Sequence, residues 1–209
     1  MSSEKEIGHA LNMLSRSSPV MASLIEEHGP YQPRRAEEPD AFSALTKAII
    51  YQQLATKAAA SIHDRFCALL EGRVTPQRVA ALDPESIRGA GLSRAKRDAV
   101  LDLAAFGARA ELDMAHLETM DDEALTRWLC RVRGIGPWTA QMFLLFELGR
   151  LDVWPSADLG VRRGFGMAFL KGEMPSARDL GPLGDPFRPY RSIVAWYAWR
   201  VADKAKSTS

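Results

Sequence analysis

The sequence predicts an all-α fold, and three observations predict it. Apolar residues recur at helical spacing, as in Phe42, Leu45 and Ile49 along one face. Several helix starts carry a capping residue, twice followed by proline: Asp40, Thr75-Pro76 and Asp83-Pro84. No stretch shows the period-two alternation or the paired Asn-Gly turns of a hairpin.

Taken in order, Ile7, Leu11 and Leu14 mark a first helix, Ser17-Ser18-Pro19 breaks it, and Met21, Leu24 and Ile25 mark a second that ends before Gly29-Pro30. Gln32 to Pro39 reads as a connector. Asp40 caps the next helix, whose pattern falters at Tyr51-Gln52-Gln53-Leu54-Ala55; Thr56 is then expected to cap a helix with Ala59, Ile62, Phe66 and Leu69 inward. Two short helices follow Thr75 and Asp83. Others are expected from about Ser93 to Ala108, after Asp113, and from Asp121 to Cys130. A further helix ends near Gly149, and Asp158 opens another. Gly181 to Pro189 reads as a loop, Pro189 as the start of a last helix with Ile193, Trp196, Tyr197 and Trp199, and Lys204 to Ser209 as a frayed tail. The expected count is about ten helices.

With 209 residues, 46% of them hydrophobic, the chain can form one large domain or two small lobes. No run approaches the roughly 20 apolar residues of a membrane span, and the charged N-terminus does not read as a signal peptide, so an intracellular protein is expected. Cys67 and Cys130 lie far apart without metal-ligand spacing, which argues against a zinc site or a cysteine-held iron–sulfur cluster. The net charge of +1 announces no partner, although arginines 127, 131, 133, 150, 162 and 163 outnumber Glu147, Asp152 and Asp158 in one stretch. Histidines 9, 28, 63 and 116 are scattered singly.

That stretch carries the chemistry. Gly134 and Gly136 flank Ile135 just before Pro137: glycines can adopt positive φ and leave the backbone bare, and a helix start offers amide N–H groups to an anion. Gly134, Ile135, Gly136 and Thr139 are therefore candidates for gripping a phosphate. Gly91-Leu92-Ser93-Arg94-Ala95-Lys96-Arg97 repeats the theme, with Ser93, Arg94 and Lys96 as a possible second phosphate contact. Asp158 stands as a lone carboxylate at a helix start, where it can be either a simple cap or a reactive group.

The turn Val132 to Ala140, followed by Pro155 to Asp158, resembles the helix-hairpin-helix (HhH-GPD) DNA glycosylases, and within them the 3-methyladenine type II branch. The likeness extends to Ala48–Ala59, Gly91–Arg97 and Pro189–Trp199, about three quarters of the chain. The resemblance implies two helical lobes with a DNA-facing cleft, residues 41–150 forming one and residues 1–40 plus 151–209 the other. Residues 1–40 are too few for the N-terminal β domain of larger bacterial relatives, so the short form is expected.

It also implies roles. Asp158 is the catalytic carboxylate, stabilising positive charge on the sugar as the N-glycosidic bond breaks. Leu54, with Gln53 beside it, matches the apolar position inserted into DNA when the damaged base is flipped out. Trp199 and Trp138 match aromatic walls of the base pocket, where Met142 stands in place of a tyrosine of close relatives. Strand-cutting relatives carry a Schiff-base lysine at the position of Trp138, so a monofunctional enzyme is expected that leaves an abasic site. Backbone carbonyls of Cys130, Val132 and Ile135 match a hairpin site for a structural monovalent cation; no cofactor is expected for catalysis. The expected partner is double-stranded DNA bearing a damaged base, 3-methyladenine or a related alkylated base, met by a monomer in the cytoplasm or nucleoid of a bacterium or in the nucleus of a eukaryote. Two alternatives stay open: a non-catalytic hairpin DNA-binding module, and a glycosylase for deaminated or mismatched bases.

Overall fold

A computed structural model describes residues 4–33, 38, 40–109 and 112–207. It is all-α: thirteen α-helices and one 3-10 turn, with no strand, among the described residues. The helices are α1 Glu4–Ser17, α2 Pro19–His28, α3 Ala41–Tyr51, α4 Thr56–Leu69, α5 Pro76–Ala80, α6 Pro84–Gly89, α7 Arg94–Arg109, α8 Met114–Thr119, α9 Asp122–Leu129, α10 Pro137–Phe146, α11 Leu159–Phe169, α12 Ala177–Leu183 and α13 Arg191–Ser207. No helix among them is long and apolar enough to cross a membrane.

The local chemistry explains most of these starts. The carboxylates of Asp40, Asp83 and Asp121 accept from the backbone N–H of Ser43, Ser86 and Ala124, and Thr75 Oγ1 accepts from Arg78 N–H, each satisfying an amide that has no partner inside its helix. Three expectations need correction. Ala55, not Thr56, stands at the N-cap of α4, without a side-chain bond. The expected loop at 181–189 is partly helical, because Ser176 Oγ accepts from Asp179 N–H and starts α12, which contains Gly181 and Pro182, and a 3-10 turn follows at Asp185–Phe187. The last helix begins at Arg191 and continues to Ser207, through most of the tail expected to fray. The connector expected at 32–39 lies largely outside the described residues, as do 208 and 209.

The chain divides into two compact units, one of residues 1–35 and 144–209, the other of residues 36–143. In the first, Leu14, Met21, Val161, Phe165, Leu180, Ile193, Val194 and Tyr197 are buried together, and Tyr197 Oη–H donates to Gly29 O at 2.8 Å, pinning the end of α2 to α13. Close packing of α11 on α13 depends on Gly164, where a Cβ would stand 1.8 Å from the Ala198 carbonyl oxygen. In the second unit, Leu45, Ile49 and Ile50 of α3, Phe66 of α4, Val100 and Leu103 of α7 and Leu125 and Leu129 of α9 are fully buried and supply the apolar area that holds it together.

Candidate active site and nucleic-acid interface

Asp158 is the N-cap of α11, its Oδ1 accepting from Val161 N–H at 2.8 Å. The same oxygen accepts from the Trp199 indole Nε1–H, also at 2.8 Å. One carboxylate oxygen is thus fixed by a backbone donor from its own helix and a side-chain donor from α13, which sets the orientation of the whole group. The indole is held in turn by Phe146, stacked at 5.7 Å between centroids with 30° between planes. The close approach is permitted by Gly160, where a Cβ would lie 2.7 Å from Trp199 Cδ1 and 3.1 Å from Asp158 Oδ1. The edge of Trp199, a residue expected as a stacking wall, binds the carboxylate.

Upstream, Asp152 anchors the segment leading to Asp158. Its carboxylate accepts from Arg188 Nη1 and from Arg191 Nε and Nη2, and Ser192 Oγ accepts from Val153 N–H while donating to the Arg150 carbonyl.

In the other unit, the hairpin turn runs between α9 and α10. Gly134 takes φ +80°, as its sequence position predicted; Gly136 is not in the left-handed region, but a Cβ there would meet nothing within 4 Å, so its bare backbone is open to approach. Pro137 opens α10, whose N-terminal dipole favours an anion. Ile135 and Val132 are buried and anchor the turn, while Thr139 is buried with its Oγ1 accepting from Gln52 Nε2 at 3.1 Å. The Val132 carbonyl accepts from Ile135 N–H at 3.1 Å. Neutral backbone oxygens of this kind suit a hard cation, and no cluster of three or more His, Cys, Asp or Glu residues among the described residues offers a side-chain alternative. Burial pushes the Cys130 thiol up, away from the thiolate form.

The junction of α3 and α4 is a tight turn. Leu54 N–H donates to Tyr51 O, Gln52 has φ −51° and ψ 132°, and Gln53 takes φ +55°, the geometry of a type II turn with a non-glycine residue at its left-handed position. Leu54 presents an exposed side chain, 40% accessible. Trp138, at 44%, is the other large exposed apolar residue among the sequence candidates, and Met142, one turn on along α10, is half-buried.

Ser93 and Arg94 are exposed, with Ser93 Oγ accepting from Lys96 N–H at the start of α7. Lys96 departs from the expected phosphate contact. Its half-buried ammonium donates to the carbonyls of Ile50 at 2.6 Å and Gln52 at 2.7 Å, and burial lowers its pKa. Besides the Asp152 anchor, four residues outside the sequence-derived set matter for these turns and helices: Gln52, Phe146, Gly160 and Gly164. Only the glycines left a signal, their i, i+4 spacing on one helix face.

Residues 46–180 match the HhH-GPD superfamily of base excision DNA repair proteins. The chain is 30% identical over 189 residues to DNA-3-methyladenine glycosylase 1 of Schizosaccharomyces pombe, spanning 88% of this chain and 83% of that one. It is similar in structure to the S. pombe 3-methyladenine DNA glycosylase in complex with abasic DNA, with a TM-score of 0.82, 30% identity and coverage of 92% and 95% of the two chains. It is also similar to a DNA-3-methyladenine glycosidase from Bacillus halodurans, with a TM-score of 0.86, 29% identity and coverage of 99% and 94%. The α3–α4 turn, the hairpin and Asp158 all lie inside the matched span, and the chain belongs to the HhH-GPD superfamily of base excision DNA repair proteins.

Proposed function

We propose that this protein is a monofunctional DNA glycosylase that hydrolyses the N-glycosidic bond of alkylated bases, 3-methyladenine and related lesions, in duplex DNA. The observation that carries this reading is the carboxylate of Asp158, fixed by Val161 N–H and Trp199 Nε1–H in a chain similar to a 3-methyladenine glycosylase bound to abasic DNA.

Alkylation at a ring nitrogen makes the base a good leaving group. As the C1′–N bond breaks, its electron pair departs with the base and positive charge develops on the sugar. The fixed carboxylate of Asp158 stabilises that charge; water then adds at C1′, loses a proton and leaves an abasic site. Base access requires flipping, for which exposed Leu54 is the wedge, with Gln53 beside it. The hairpin at Gly134 to Thr139 is the backbone grip, Ser93 and Arg94 a second one, and a cation on the carbonyls of Cys130, Val132 and Ile135 would add positive charge for a phosphate oxygen. Trp199, already stacked on Phe146, and the exposed Trp138 are aromatic surfaces for an electron-poor base. With Trp138 where strand-cutting relatives carry lysine, there is no amine at that position to form a Schiff base. In this reading the protein acts as a monomer and works where the cell's DNA is.

The test is release of methylated bases from treated duplex DNA by the protein and by Asp158→Asn. The expected result is that the variant binds DNA with a similar affinity while base release falls by at least about 10²-fold, and that the wild-type product strand stays uncut. Near-normal release by the variant would overturn the assignment. One observation favours a second reading, a hairpin DNA-binding module without chemistry: Asp158 is a helix cap in its own right. Failure of the wild type to release any base would decide for it.

A further inference from the structure

We infer that Lys96 is a positioning residue for the wedge: it locks the Gln52–Gln53 peptide of the α3–α4 turn in the type II orientation, holding Leu54 out from the surface.

Type I and type II turns differ by a flip of the peptide between their two central residues, here the one formed by the Gln52 carbonyl and the Gln53 N–H. Type II requires positive φ at the second central residue, which glycine meets at no cost and glutamine does not. Gln53 stands at φ +55° nevertheless. A non-glycine residue persists in that region only where its surroundings over-determine it. The over-determination is visible: Lys96 Nζ donates at 2.7 Å to Gln52 O, the carbonyl of the peptide that would flip, and at 2.6 Å to Ile50 O, in the last turn of α3. Flipping the peptide would swing that oxygen away from the ammonium and cost a charged donor in a half-buried site one of its two carbonyl acceptors.

The same helix braces the hairpin. Asp102 Oδ2 accepts from Arg133 N–H at 2.7 Å, and Gly134 presses so closely on Ala99 that a Cβ would lie 2.8 Å from the alanine's own. Gln52 closes the frame, its Nε2 donating to Gly134 O at 2.9 Å and to Thr139 Oγ1. Lys96, Ala99 and Asp102 recur at three-residue spacing along α7, so one helix sets both the turn that carries Leu54 and the turn proposed to grip phosphate. A phosphate contact by Lys96 would need the ammonium in solvent; instead it reaches inward to two carbonyls.

The inference rests on the glycosylase reading only in taking Leu54 as the wedge. Its test compares Lys96→Met with the wild type for binding to an undamaged duplex and to the same duplex with one abasic site, across a salt series. The expected result is a fall of about tenfold in preference for the abasic duplex, with the salt slope for undamaged DNA unchanged. In a Leu54→Ala background, Lys96→Met should cost less than about twofold further, because both act through the same side chain. Equal weakening on both duplexes with a salt slope smaller by about one would make Lys96 a phosphate contact and overturn the inference. So would full additivity with Leu54→Ala, or a wild type without abasic preference. Should Lys96→Met not fold, Lys96→Gln, which puts a neutral donor in place of the ammonium, is read in the same way. Base release by the wild type is measured in parallel: release with uniform weakening removes only the role of Lys96, and lesion-selective weakening without release removes only the glycosylase reading.

Discussion

Replacing Gly160 by alanine separates the chemistry of the site from its stability. The new Cβ would stand 2.7 Å from Trp199 Cδ1 and 3.1 Å from both Nε1 and Asp158 Oδ1. Ordinary contact between carbon atoms is about 3.5–4.0 Å, so the indole must retreat by about 1 Å. The 2.8 Å bond from Nε1 to Asp158 Oδ1 would then stretch past hydrogen-bonding distance. Overpacking costs about 1–3 kcal/mol, but alanine recovers about 1 kcal/mol of helix propensity, leaving a net loss of about 0–2 kcal/mol. Misplacing a reacting group by that distance can cost about 10²-fold in rate. Single-turnover base release should therefore fall by about 10- to 100-fold in a protein whose melting temperature drops by only a few degrees. Trp199→Phe, which keeps a ring beside Phe146 but removes the N–H, should reproduce the loss. Release within twofold of wild type in Gly160→Ala would refute the reasoning.

Gly164→Ala should behave in the opposite way, because its Cβ would meet the Ala198 backbone oxygen at 1.8 Å and no side chain can yield. A destabilisation of about 3 kcal/mol or more, read as a drop of about 10 °C in melting temperature, is expected before any specific effect on catalysis. Alkaline stability reports on Tyr197, whose pKa is pushed from 10.0 up to about 12 by burial, which outweighs an opposing hydrogen bond with the Tyr31 backbone. Its folded pKa is raised, so its contribution is complete below about pH 10 and is lost as pH rises towards about 12. The unfolding free energy of Tyr197→Phe from urea titrations should start about 1 kcal/mol lower at neutral pH and decline less steeply over that window.

What the sequence made legible was local. Asp40, Thr75, Asp83 and Asp121 cap helices because a cap needs only the three residues that follow it. Local signals also misled: Gly181 and Pro182 read as breakers, yet α12 forms around them, since seven residues carry too little periodicity to outweigh two breaker residues. Gln53 gave no hint of positive φ, because the force that holds it there comes from Lys96, far along the chain. The tie from Gln52 to Gly134 and that from Trp199 to Asp158 are invisible in the sequence for the same reason. The resemblance aligned Lys96 with a basic first turn and Trp199 with a stacking wall; it could not show that one points inward and the other presents its edge to the carboxylate.

The two readings of Asp158, cap and catalytic group, are not rivals in this geometry. Capping uses Oδ1 through Val161 N–H, and the Trp199 bond uses that same oxygen. A helix cap on its own has no requirement for an indole donor from α13, nor for glycine at the second position of α11, where alanine would favour the helix by up to about 1 kcal/mol. Gly160 makes sense once Trp199 must reach the carboxylate, and Phe146 once the indole must be held flat to do so. The cap is then the means by which the backbone of α11 aims the carboxylate. Asp158→Asn can keep its cap through the amide oxygen, so loss of base release in that variant at nearly unchanged stability would isolate the charge as the part of the residue that chemistry uses.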